Sequence, residues 1–163
     1  NLTNVTPVNM AASDKRATVP FYLCKPNDVQ GSLFATLRDN ESTVPVESMT
    51  IDEFLDGKPV DVVKMDIEGG EPRALEGMSK TLFKSKDVVL FIEFNHHLLR
   101  RAGVDPPDLF HQLDSAGFDC MLINEGLKRL LPIVHPLTPE DILGEGFQHG
   151  FCNIYCTRKA TAE

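Results

Sequence analysis

Two nearly continuous apolar stretches organise the chain. The first covers residues 60–67 (VDVVKMDI), and the second covers residues 87–95 (DVVLFIEFN). A strand with one face in water alternates apolar and polar residues, whereas a strand covered on both faces is apolar almost throughout. We therefore expect both stretches to be neighbouring central strands of one sheet.

Helical patterns follow these predicted strands. Pro72 begins a helix that has Leu75, Met78 and Leu82 on one face, and a later pattern predicts a helix over residues 106–116. Thr50 and the acid three residues later have capping-box spacing, which predicts a short helix there. Further strands are expected at residues 5–12, 17–23, 44–49, 118–124 and 151–157, a strand or an extended segment at residues 128–134, and a short helix after Thr138. These elements predict an α/β fold, with a mostly parallel sheet and an antiparallel last strand.

Polar clusters stand at the ends of the two central strands. Asp66, Glu68 and Glu71 surround a glycine pair after the first strand, and Glu93 and Asn95 end the second. In open α/β sheets, ligands bind at the carboxyl ends of the strands. The sequence therefore predicts a functional site where these two clusters meet.

Some of these acids also have structural explanations. A carboxylate near a helix N-terminus gains roughly 0.3–1 kcal/mol from the helix dipole and open amides, and we favour such capping for Glu71. Glu93 lies within an apolar strand, where a carboxylate must be exposed or paired. Lys64 is the partner we expect for it.

The same residues carry a family resemblance. The segment KMDIEGGEPRALEGM, residues 64–78, followed by the strand VVLFIEFN, resembles the FkbM-type S-adenosylmethionine-dependent methyltransferases. The segments NVTPVNMAASD and VPVESMTIDEFL are similar to what precedes that motif in the family, so the likeness runs from Asn4 to about Phe118. The resemblance implies a Rossmann-like class I methyltransferase sheet and S-adenosylmethionine as cofactor.

Members of that family begin with a strand, a glycine-rich turn and a second strand that ends in an acid. We find no such pattern before Asn4. We therefore expect residues 1–163 to be a single partial methyltransferase domain that lacks the first two strands. This expectation makes the chain a truncated and inactive portion of a longer enzyme.

The resemblance also implies roles for individual residues. It places the loop Ala11, Ala12, Ser13 and Asp14 beside the adenine of the cofactor, and Asp66 at the cofactor as well. A polar turn before a hairpin explains the loop equally well. The implied reaction is methylation of a hydroxyl on a sugar or natural-product small molecule. The candidate bases are Asp66, which we rank first, Glu68 and His96.

Two other chemistries are weaker alternatives. Asp66, Glu93 and Asn95 resemble the layout by which catechol-type methyltransferases hold magnesium, but oxygen clusters at strand ends usually bond to loops, so we expect no metal. An acid-dyad hydrolase would need Asp66 and Glu68 to converge. Alternate residues of a strand point to opposite faces, so convergence would require a twisted turn.

Charge and composition limit the partners. The net charge of −8 and the pI near 5.1 disfavour nucleic acid, and no apolar run is long enough for a membrane span, so we expect a cytoplasmic protein. The four cysteines show no metal or redox spacing and are expected to be buried thiols.

If the domain lacks its first two strands, residues 60–67 would form an apolar edge of the sheet. We then expect a homodimer through that edge, or an N-terminal strand that fills it. The alternative function is thus a non-catalytic fragment that self-associates.

Overall fold

The computed structural model describes residues 2–23, 31–35, 42–133 and 151–160. The strands are β1 (Ala11–Ala12), β2 (Ala17–Leu23), β3 (Ser42–Met49), β4 (Val62–Met65), β5 (Val89–Asn95), β6 (Phe118–Asn124), β7 (Arg129–Pro132) and β8 (Phe151–Arg158). The helices are α1 (Ile51–Leu55), α2 (Glu71–Glu76), α3 (Ser79–Lys84), α4 (His96–Arg101) and α5 (Pro106–Ser115). The predicted helix after Thr138 lies outside the described residues.

A five-stranded sheet in the order β4-β5-β8-β6-β7 forms the larger part of the fold. β4 and β5 pair in parallel, as their apolar patterns predicted, and β8 is antiparallel to both β5 and β6. The antiparallel last strand is therefore confirmed. The expected mostly parallel pairing is not, because β4–β5 is the one parallel pair among the four in this sheet. β5 and β6 run in the same direction. β8 lies between them and runs in the opposite direction, so its pairs with β5 and with β6 are both antiparallel.

A three-stranded sheet in the order β1-β3-β2 precedes it along the chain. β2 and β3 form a long antiparallel pair, and β1 adds to β3 in parallel through Ala11 and Ala12. The predicted strand over residues 5–12 was too long: the structure has a strand only at Ala11–Ala12. Residues 5–9 are all exposed, so their apolar side chains bury no face that would hold them in a sheet.

The hydrophobic core lies on one face of the larger sheet. Leu90, Ile92 and Phe94 alternate along β5 and are fully buried under the helices, together with Ile154 of β8. Cys152 and Cys156 are buried as predicted. Burial of such side chains contributes roughly 1.5–3 kcal/mol each, so this face is the main source of stability.

The helix predicted after Pro72 is interrupted. Leu75 and Leu82 are buried as predicted, but they belong to α2 and α3, which are separated at Gly77. The Gly77 carbonyl accepts a hydrogen bond from Asp52 N (2.9 Å), and a Cβ on Gly77 would overlap the Ser13 carbonyl. The close approach of these two segments explains why the helix breaks there.

The other predicted elements are confirmed within one or two residues. Thr50 caps α1 by accepting a hydrogen bond from Glu53 N (3.0 Å), although the Glu53 side chain binds Arg16 instead of closing the capping box. α5 ends before Gly117, which has φ +84°. Among the helices in the described residues, none is both long and apolar enough to cross a membrane.

Candidate active site

A cleft of about 1120 Å³ opens at the carboxyl ends of β4 and β5. This volume exceeds that of a pocket for one drug-sized ligand, so it can hold a nucleoside cofactor and a second small molecule. The lining comes from both sheets and from the segment between β2 and β3: Met10, Ala11, Ala12, Phe21, Gly31, Leu33, Asp66, Ile67, Glu68, Gly70, Glu93, Asn95 and Phe151. The predicted position of the site is therefore matched by a cavity.

The turn after β4 is built around an unusual backbone. Glu68 has φ +56° and Gly69 has φ +95°, both in the left-handed region. For a residue with a side chain this conformation is disfavoured by roughly 1–2 kcal/mol. Ser32 supports it from across the cleft, since its hydroxyl donates to the Glu68 carbonyl (2.8 Å). The turn therefore holds Glu68 in a fixed direction.

The buried side chain of Glu71 stabilises this turn. Its side chain is buried, and a carboxylate oxygen accepts a hydrogen bond from Ile67 N (3.0 Å). Burial raises the pKa of Glu71, although hydrogen bonds from Ile67, Gly69 and its own amide oppose the rise. The role of Glu71 is therefore structural, as favoured, but its carboxylate binds the turn before α2, and the N-cap Gly70 has no side-chain cap.

Glu93 is the group that sequence reasoning left out of the catalytic candidates. It lines the cleft, is only 9% exposed, and its Oε2 has no hydrogen-bond partner among the described residues. Burial raises the pKa of Glu93 to about 7, and the negative charges of Asp66, Glu68 and Glu71 add to the rise. The signal in the sequence was the carboxylate within an apolar strand. Glu93 can hold a proton or a cation near neutral pH.

Lys64, the expected partner of Glu93, binds a different carboxylate. Lys64 forms an ion pair with Asp66 (3.2 Å), and both side chains are about half exposed, 52% and 54%. The prediction of a Lys64–Glu93 pair was therefore wrong. An ammonium that approaches the buried Glu93 would lose hydration, whereas the exposed Asp66 lets it remain in water.

Three carboxylates converge at the rim of the cleft. Asp66, Glu68 and Glu93 each offer an oxygen, and these oxygens lie within 4.8 Å of one another. Strand spacing predicted that Asp66 and Glu68 converge only if the turn twists, and the left-handed backbone of Glu68 supplies that twist. Asn95, the other oxygen donor considered, lines the cleft but is the N-cap of α4. Its Oδ1 accepts hydrogen bonds from His97 N (3.1 Å) and Leu98 N (3.3 Å).

His96 lies in the interior. It is 5% exposed, packs edge-on against Phe94 with ring centroids 5.0 Å apart, and is not among the described residues that line the cleft. The reason is α4, which begins directly after β5 and turns His96 inward. Sequence reasoning missed this six-residue helix and treated its first residues as part of the polar cluster at the end of the strand.

The predicted cofactor loop divides into two halves. Ala11 and Ala12 line the cleft, whereas Ser13 and Asp14 face the α2–α3 junction at Gly77. Ser13 is buried, its amide donates to the Met49 carbonyl (3.0 Å), and its hydroxyl donates to Asp14 (2.9 Å). Burial raises the pKa of Asp14, but the Ser13 bond, its own amide and nearby cations outweigh this and lower it overall. Asp14 thus has a structural partner already.

These features define an α/β protein with an acidic cleft at the carboxyl ends of two parallel strands. The family model described as the Methyltransferase FkbM domain matches residues 3–120. The chain therefore belongs to the FkbM methyltransferase family, as its motif indicated. No curated protein and no solved structure gives a significant match.

Proposed function

We propose that the cleft binds S-adenosylmethionine and transfers its methyl group to a hydroxyl of a small molecule, such as a sugar or natural product. The observation that carries the proposal is the convergence of Ala11, Ala12 and the acidic rim on one cavity in a chain of this family. This proposal includes two further expectations, namely a Rossmann-like sheet order and a hydroxyl as the methyl acceptor.

The residues present suit the cofactor. Ala11 and Ala12 have small side chains, which leave room for an adenine beside β1. The carboxylates of Asp66, Glu68 and Glu93 give the rim a negative potential, and the cofactor carries a positive sulfonium and a positive amino group. When bound, the sulfonium supplies the methyl group for direct displacement.

The chain would contribute alignment and a base. Holding an acceptor oxygen in line with the methyl group accounts for most of the expected rate gain. The base must reach the acceptor from the cleft wall, which favours Asp66 and Glu68 over the interior His96. Asp66 stays the first candidate.

Heat stabilisation by S-adenosylhomocysteine, the product left by the cofactor, tests the proposal. A ligand that binds the folded chain raises the midpoint of heat unfolding as its concentration rises. A midpoint that does not change at any ligand concentration would contradict the methyltransferase proposal.

A second candidate function, self-association, is favoured by the edge of the larger sheet. Within the described residues β4 pairs only with β5, and Val62 is 60% exposed at that edge. β1 belongs to the other sheet, so in the described structure no N-terminal strand fills the edge. We propose a homodimer through β4. Sedimentation analysis of Val62→Lys against Val62→Thr tests it, since only the charged variant should become monomeric.

A wild-type chain that sediments as a monomer at every concentration would contradict the dimer. The expectations of no nucleic-acid partner, no membrane partner and a cytoplasmic location stay predictions.

A further inference from the structure

We propose that Asp66, Glu68 and Glu93 bind one hard divalent cation at the rim of the cleft, with Ca²⁺ preferred over Mg²⁺. The proposal concerns the acidic rim itself and does not depend on methyl transfer. The spacing of the three oxygens, the buried Glu93 oxygen without a hydrogen-bond partner among the described residues, and the local charge support this cation site.

The spacing of the three oxygens matches a shared ion. Two ligands of one ion cannot lie farther apart than twice the metal–oxygen distance, which is about 4.6–5.2 Å for Ca²⁺ and about 4.2 Å for Mg²⁺. The three oxygens lie within 4.8 Å of one another. One shared ion is therefore compatible with the spacing. Ca²⁺ accepts longer distances and irregular geometry, whereas Mg²⁺ demands near-ideal octahedral geometry, so oxygens held by two separate strand ends suit Ca²⁺ better.

A second observation, besides the spacing, also points to a cation ligand: a buried Glu93 oxygen has no hydrogen-bond partner among the described residues. Glu93 is nine-tenths buried, and no donor among the described residues reaches its Oε2. Asn153 is its register partner on β8, and the buried Oδ1 of Asn153 also has no partner there. Leaving such an acceptor unsatisfied costs roughly 1–3 kcal/mol. A cation would satisfy the Glu93 oxygen that no N–H or O–H group satisfies.

Like charges act on Glu93. The carboxylates of Asp66, Glu68 and Glu71 surround it with negative charge, and Lys64 opposes them from its half-exposed ion pair with Asp66. A divalent cation among the oxygens of Asp66, Glu68 and Glu93 would lower the repulsion between them.

The backbone directs Glu68 toward this position. Its left-handed conformation at φ +56° is disfavoured for a residue with a side chain, and the Ser32 hydroxyl fixes the Glu68 carbonyl at 2.8 Å. Ca²⁺ takes six to eight oxygens, so three protein ligands leave positions for water or for oxygens of a molecule in the cleft. The site is thus open on the side where an acceptor would bind.

Calorimetric titration of CaCl₂, MgCl₂ and MnCl₂ into the metal-free chain, without cofactor, tests the proposal. We expect one Ca²⁺ per chain with tighter binding than Mg²⁺. Asp66→Asn, Glu68→Gln and Glu93→Gln should each weaken Ca²⁺ binding about tenfold or more. Asp61→Asn is the matched control, because Asp61 is an exposed acid that precedes β4 at its other end.

Two results would overturn the site. One is the absence of saturable Ca²⁺ binding up to about 1 mM, the weak end of natural calcium sites. The other is binding that Glu93→Gln leaves unchanged or that Asp61→Asn weakens equally. Heat unfolding of each variant shows whether it is folded, and the near-isosteric Glu93→Gln preserves the packing. Because cofactor binding is measured separately in EDTA, failure of the cation site is distinguishable from failure of the methyltransferase proposal.

Discussion

Gly69 lies against the backbone of Leu98, so closely that a Cβ added to Gly69 would lie 2.8 Å from the Leu98 carbonyl oxygen. This contact joins the turn after β4 to α4, the helix that follows β5. Since Asp66 and Glu68 precede Gly69 and Glu93 precedes α4, the contact also sets the spacing of the acidic rim. The geometry of the site therefore depends on a glycine that is not among the described residues lining the cleft.

Gly69→Ala should destabilise the protein by about 2–4 kcal/mol, because it adds a backbone clash to a φ of +95°. Urea unfolding measures the loss. Gly103→Ala is the control: Gly103 has φ +79° but no atom within 4 Å of its added Cβ, so the loss there should be about 1 kcal/mol. Equal losses in the two variants would contradict a tight Gly69–Leu98 contact.

Glu68→Gly should leave the stability of the metal-free protein unchanged or raise it by about 1 kcal/mol. Glycine relieves the left-handed strain at φ +56° and removes one of three like charges, although it gains backbone entropy in the unfolded chain. Urea unfolding in EDTA is the measurement. A loss of more than about 1 kcal/mol would show that Glu68 stabilises the turn through its side chain.

Glu93 should make the metal-free protein less stable as the pH rises. Its pKa is about 7 in the folded chain against 4.5 for the ordinary group, so the protonated form favours folding. This contribution is complete below pH 4.5 and is lost as the pH rises through 7, and it amounts to at most about 3 kcal/mol. The charges that face Glu93 are Asp66, Glu68 and Glu71, which raise its pKa, and Lys64, which lowers it.

The measurement is the free energy of unfolding of wild type and Glu93→Gln in EDTA between pH 4.5 and about pH 8. Glu93→Gln should gain stability relative to wild type across this interval. Parallel pH profiles would mean that Glu93 has the same pKa in the folded and the unfolded chain, which would contradict the raised pKa.

Lys64→Met should change stability by less than about 0.5 kcal/mol, since the Lys64–Asp66 pair is half exposed and solvent screens it. It should also move the pH midpoint of the Glu93 effect upward, because Lys64 lowers the pKa of Glu93. Urea unfolding at several pH values tests both. A large loss of stability would mean that the pair is more buried than its exposed fractions indicate.

Local patterns predicted much of the fold. α5 was readable because Pro106 and Gly117 mark its limits, and β5 was readable from its apolar run. The insertion of β8 between β5 and β6 was not readable from the sequence. It depends on pairing between β5 and β8, about sixty residues apart, and not on the pattern of either segment. α4 was missed because a six-residue helix that directly follows a strand shows too few turns for a period.

The position of the acidic cluster was predicted, but its detail was not. The order of the chain placed Asp66 and Glu93 at neighbouring strand ends, which the structure has. The convergence of Glu68 with them depends on one backbone angle, and the choice of Lys64 for Asp66 depends on which carboxylate stays in water. Residue spacing predicts neither the convergence of Glu68 nor the pairing of Lys64 with Asp66.

Calorimetric comparison of S-adenosylmethionine with S-adenosylhomocysteine tests the central claim most directly. The two differ by one methyl group and by the sulfonium charge that it creates, which the acidic rim should favour by about 1–2 kcal/mol, or roughly 5–30-fold in affinity. The account predicts tighter binding of S-adenosylmethionine in EDTA, with the difference reduced in Asp66→Asn and retained in Asp61→Asn. Binding of neither compound, or a preference unaffected by Asp66→Asn, would contradict a methyl-transfer site in this cleft.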